Sequence, residues 1–143
     1  MNHQRLNKEG YPDPTPYEAL KAIEDEEMRE LRAFRPIVYI CSPYAGDIET
    51  NVARARTYSR FAVDMGFIPL AIHLLYPQFM CDDDPRERAL ALQFGNVLMG
   101  KCSQVWVFAG EGISRGMAME IRHARHKGYR LRRFDAECRE VGR

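Results

Sequence analysis

The chain has 143 residues, 45% hydrophobic and 29% charged, with 21 Lys and Arg against 20 Asp and Glu. That length suits one domain whose core needs no disulfide or metal staples, and a net charge of +1 argues against affinity for nucleic acid polymers. No apolar run approaches the ~18–20 residues that cross a bilayer, and the polar, Pro-bearing start does not read as a signal peptide, so a soluble cytoplasmic protein is expected.

Cys41, Cys81, Cys102 and Cys138 are scattered without a CxxC pair, the pattern of reduced, buried thiols rather than of a disulfide framework or zinc site. Charge is uneven along the chain: residues 122–143 hold 8 basic against 3 acidic residues. That basic end reads as a solvated helix face and tail, with an anionic ligand nearby as the alternative.

Residues 1–14 read as an arm. Thr15, Pro16 and Glu18 then open a helix as cap, first-turn proline and capping-box acid, which ends before Pro36. From there strands and helices alternate. Ile37–Cys41 is a continuous apolar run, the mark of a strand buried on both faces. Asp47 caps a helix stopped by Gly66. Phe67–Ile72 is a second strand, placed at an edge because Pro69 has no N–H for a ladder. After a loop from His73 to Asp83, Asp84, Pro85 and Glu87 announce another helix. Gln104–Phe108 is a third buried strand, Ser114 caps a helix that runs to about Lys127 before Gly128, and Tyr129–Phe134 is an amphipathic last strand.

Such alternation predicts an α/β, flavodoxin- or Rossmann-like three-layer fold: a mainly parallel four-stranded sheet in the order 2-1-3-4, with an extra N-terminal helix. The divisions are 1–35 for arm and helix, 36–134 for the domain and 135–143 for a polar tail. Ligands of such sheets bind at the carboxyl ends of the strands around the switch point. That rule selects the loops Ser42–Asp47, His73–Asp83 and Ala109–Gly116.

Familiar phosphate and hydrolase motifs are missing: no GxGxxG follows the first strand, and there is no GxxxxGK[ST], GxSxG or HExxH. His123 and His126 read as surface histidines. What remains is concentrated in Gly112–Ile121. Ser114 and Gly116 lie at a helix N-terminus, a ready anion site. Glu120 follows among Met117, Met119 and Ile121, where a carboxylate is costly unless it is paired or has a task. Periodicity alone also allows an exposed Glu120, or one paired with Arg122 or His123.

Ser114-x-Gly116-x-x-x-Glu120, together with the opening Val38–Gly46 and the helix that carries Asn51, resembles the nucleoside 2-deoxyribosyltransferase superfamily. It is especially similar to the nucleotide N-glycosidases of that superfamily and to a small bacterial and phage branch related to it. The resemblance spans roughly Ile37 to Phe134. It implies that Glu120 attacks C1′ of a (deoxy)ribosyl group, that a glycosyl–Glu ester forms, and that water or a second base resolves it with net retention.

By the same matching Ser42, Pro43, Tyr44 and Gly46 would meet sugar or 5′-phosphate, Ser114 and Gly116 would complete the anion site, and Tyr44 would hold the nucleophile or stack on the base. Local turn bonding for Ser42 and plain packing for Tyr44 remain open. The family's acid on the helix before the third strand is matched here by Asn96, which has no acidic proton. Asp83 is the expected substitute, with Asp82 or the cap Asp84 behind it, and His73 as a base contact, a general acid or a structural residue.

The expected function is therefore cleavage or transfer at the N-glycosidic bond of a nucleoside or its 5′-monophosphate; the alternative is a non-catalytic nucleotide-binding module. No metal or redox cofactor and no membrane partner are implied. A homo-oligomer, dimer or higher, is expected, with the apolar Tyr76–Met80 loop covered by a neighbour.

Overall fold

A computed structural model of the chain describes residues 15–142. The expected arm of residues 1–14 lies outside them. The chain divides after Phe34 into two units. In the first, α1 (Pro16–Leu31) begins as its sequence dictates: the Thr15 hydroxyl accepts from Glu18 N at 3.3 Å and proline opens the first turn.

In the second unit β1 (Ile37–Cys41), α2 (Ile48–Asp64), β2 (Ile68–Leu70), α3 (Pro85–Met99), β3 (Gln104–Phe108), α4 (Arg115–Lys127) and β4 (Leu131–Phe134) follow in order. Every strand pair is parallel and the sheet runs β2-β1-β3-β4, the order expected from right-handed crossovers. Each helix starts on its predicted cap: Asp47 accepts from Thr50 N, Asp84 from Arg86 N and Ser114 from Met117 N. Gly66 and Gly128 stop α2 and α4 with φ of +84° and +74°, a region that an L side chain enters only under strain.

The central strands alternate between two cores. Val38, Ile40, Trp106 and Phe108 pack with Phe134 against Tyr58 and Ala62 of α2, where Tyr58 stacks on Phe108 at 4.0 Å. Tyr39, Cys41, Val105 and Val107 face the other way, against Met99 of α3 and Met117, Ile121 and Ala124 of α4. Both faces of β1 are thus covered, which is why its sequence is a continuous apolar run.

Three local expectations change. β2 is only Ile68–Leu70, because it pairs with β1 along one edge across Ile37–Tyr39 and Pro69 shortens the ladder. The chain then turns through a single helical turn, Ile72–Leu74. β4 begins at Leu131, since Tyr129 N is spent on Ala124 O at the end of α4. The tail beyond β4 folds back on it: Val141 N donates to Arg133 O, and Glu140 takes the Arg132 guanidinium at 3.1 and 2.7 Å. All four cysteines are free, yet Cys41 alone is buried; Cys102 and Cys138 are half-buried and Cys81 is exposed in its loop. Among the described residues no helix is long and apolar enough to cross a membrane.

Candidate functional site

The site is assembled from three chain segments at the carboxyl ends of β1, β2 and β3. After β1, the Tyr44–Ala45 backbone is tied down by Asn51, a buried amide on α2 that donates to Tyr44 O at 3.0 Å and Ala45 O at 3.1 Å. After β2, buried Ile72 anchors the Ile72–Leu74 turn and sets the His73 ring flat against Tyr44, with centroids 5.0 Å apart and planes 10° from parallel. After β3, Ser114 caps α4, and its helical spacing turns Met117, Glu120, Ile121 and Ala124 inward together.

These segments and the start of α3 wall a cavity of about 410 Å³, with Tyr44, His73, Asp82, Arg88, Arg115 and Glu120 among its lining residues. It lies at the switch point between the paired strands β1 and β3, whose onward connections leave to opposite faces of the sheet. The α4 N-terminus enters its wall through Ser114, Arg115 and Gly116, bringing the unpaired N–H groups of a first helical turn to the cavity. The Ser114 oxygen accepts from Met117 N at 3.2 Å, which leaves its hydroxyl hydrogen free to donate.

Glu120 is only 3% exposed, and neither of its carboxylate oxygens has a hydrogen-bond partner among the described residues. Its one ion-pair neighbour there is His73, with Nε2 3.7 Å from Oε1, a contact that carries charge only when the imidazole is protonated. Beneath it lie Tyr39, whose hydroxyl is likewise unpartnered, and Cys41. Burial pushes the Tyr39 hydroxyl and the Cys41 thiol well up, and the adjacent Glu120 charge pushes both further. Both therefore stay protonated beside the carboxylate. The Tyr44 phenol is also raised, by burial first and then by the charges of Asp82 and Asp83. A buried carboxylate with no donor at hydrogen-bond distance among the described residues is costly to the fold, and its oxygens are free to act as a nucleophile or to accept from a ligand.

Of the residues singled out from sequence, Tyr44, His73, Ser114, Gly116 and Glu120 share this cavity. Neither the exposed outer-face position for Glu120 nor a pairing with Arg122 or His123 occurs. Ser42, Pro43, Gly46, Asp83 and Asn96 are not among the lining residues. Ser42 is buried below the loop, Gly46 and Asp83 are exposed, and Asn96 is half-buried farther along α3. Asp82 does reach the wall, 3.8 Å from Arg88.

Sequence reasoning passed over Tyr39, Glu87, Arg88 and the bracing role of Asn51. Arg88 gives no signal, being one surface-type residue among many. Asn51 gives one: an amide at a core-facing helical position is costly unless it is bonded.

Fold and site together define a small doubly wound α/β domain with a buried carboxylate, free of hydrogen bonds among the described residues, at its switch point. The chain belongs to the family of a domain of unknown function, DUF7768, whose model matches residues 36–134. No curated protein and no solved structure matches the chain.

Proposed function

We propose that the protein cleaves or transfers the N-glycosidic bond of a nucleoside or its 5′-monophosphate through a covalent ester on Glu120. The observation that carries this reading is the state of Glu120, buried at the cavity wall with both oxygens free of hydrogen bonds among the described residues. In the reaction one Glu120 oxygen bonds to C1′ as the bond from C1′ to the base breaks, and water or a second base then displaces the ester with net retention. A carboxylate suits an oxocarbenium-like centre because its charge offsets the charge developing on the sugar. The α4 N-terminus with Ser114, Gly116 and Arg115 suits a sugar hydroxyl or a 5′-phosphate, and Tyr44 supplies a flat face for the base.

The resemblance to nucleoside 2-deoxyribosyltransferases and nucleotide N-glycosidases supports the same chemistry, as does a cavity of the size of a small ligand. We place the protein in the cytoplasm as a homo-oligomer, with a neighbour covering the exposed Phe79 of the Tyr76–Met80 loop.

The test is a panel of ribo- and deoxyribonucleosides and their 5′-monophosphates, with free base followed by chromatography, with and without an acceptor base. A 2-fluoro sugar analogue traps any ester for mass spectrometry. Base release that disappears in Glu120→Gln, with the trapped sugar mapped to Glu120, is the expected result. Saturable nucleotide binding without turnover, unchanged in Glu120→Gln, makes the protein a binding module instead.

A further inference from the structure

Whatever leaves C1′ as a base carries away an electron pair and needs a proton, and the water that later opens the ester must lose one. The position matched to the family's acid is Asn96, which has no acidic proton and lies off the cavity wall. Asp83 is exposed and off the wall too, and Asp84 is engaged as the α3 cap through Arg86 N. Asp82 lies at the wall but in a pair with Arg88, with a side chain 41% exposed.

We infer that His73 is the acid–base catalyst of this site, working beside Glu120; the inference rests on the reading of Glu120 as nucleophile. Three observations converge on it. First, His73 is the one ion-pair neighbour of Glu120 among the described residues, at 3.7 Å. Second, the imidazole is held at both ends: its backbone sits in a turn anchored by buried Ile72, and its face stacks on Tyr44, whose carbonyl is fixed by Asn51. Third, its side chain is 23% exposed at the cavity wall, so a leaving base and an incoming water can both reach it.

In the first step the imidazolium gives its Nε2 proton to a nitrogen of the departing base. The C1′–N bond breaks with its electrons going to the base, and a Glu120 oxygen bonds to C1′. In the second, neutral Nε2 takes a proton from water, the water oxygen bonds to C1′, and the ester electrons return to Glu120.

The experiment uses the full chain, His73→Gln and His73→Asn, with two substrates that share one sugar: the best nucleotide from the panel and its 4-nitrophenyl glycoside, whose leaving group departs without a proton. The expected result for the variants is a loss of about 10²–10⁴-fold on the nucleotide. On the nitrophenyl glycoside they give a burst of one equivalent of nitrophenolate near the wild-type rate, followed by slow turnover. During that slow phase the sugar ester accumulates on Glu120, and azide, which needs no proton removed, restores turnover.

Equal losses on both substrates with no burst overturn the assignment, and so does full activity on the nucleotide. If both variants melt before assay, modification of wild-type His73 by diethyl pyrocarbonate must produce the same burst and azide rescue; failure to do so also overturns it. A wild-type protein that forms no ester from either substrate removes the nucleophile reading itself, an outcome distinct from a surviving Glu120 ester with an indifferent His73.

Discussion

Replacing Glu120 with methionine should make the fold more stable while abolishing any chemistry at the site. Methionine matches glutamate in length and fills irregular gaps, and position 120 lies between Met117 and Ile121, both buried. The carboxylate it removes is buried and has no hydrogen-bond partner among the described residues, a state that costs roughly 1–3 kcal/mol or more for a charged group. His73, the ion-pair neighbour left behind, is partly exposed and can be solvated. The Tyr39 hydroxyl has no partner at hydrogen-bond distance among the described residues, so it loses only the longer-range attraction of the carboxylate.

A gain of about 2 kcal/mol is therefore expected. With an unfolding entropy of ~2.1 cal/mol/K per residue over the second unit, residues 35–143, each kcal/mol moves Tm by about 4 °C. The variant should melt about 8 °C above wild type in differential scanning calorimetry at neutral pH. A fall in Tm would refute the reasoning, because it would mean that the carboxylate holds the fold together rather than being kept against its interest.

Four further outcomes follow from particular contacts. A methyl group at Gly116 meets nothing within 4 Å, so Gly116→Ala should gain up to about 1 kcal/mol from helix propensity while weakening nucleotide binding at the α4 N-terminus; calorimetric titration beside a melt separates the two. A Cβ at Gly110 would stand 2.4 Å from Ala136 N, a clash with backbone, and Gly110→Ala should lose about 3 kcal/mol in urea unfolding. Asn51→Ala removes both bonds that hold the Tyr44 loop, which should cost about 1–3 kcal/mol and raise KM more than it lowers kcat. In iodoacetamide labelling at pH 8, exposed Cys81 should react first and be protected by nucleotide, since it lines the cavity. Cys102, whose thiol burial pushes up to about 11, has roughly one thiolate in a thousand at that pH and should lag, catching up as pH rises; equal rates at pH 8 would contradict that assignment.

The sequence by itself determined the fold. Caps at Thr15, Asp47, Asp84 and Ser114, the stops at Gly66 and Gly128, and the apolar runs of β1 and β3 act within a few residues, and with right-handed crossovers they leave one strand order. It also marked the Gly112–Ile121 segment and the loops that wall the cavity.

Tertiary structure decided the rest. Helical spacing could not say whether Glu120 faces solvent or core, because α4 is amphipathic and its register against β1 depends on contacts with Tyr39 and Cys41. The meeting of His73 with Glu120, 47 positions apart in the chain, arises only when the turn after β2 and the helix after β3 reach the same end of the sheet. Asp83 and Asp82 differ by one position in sequence, yet only Asp82 reaches the wall; the direction of a side chain in an irregular loop is set by packing, which no local pattern encodes.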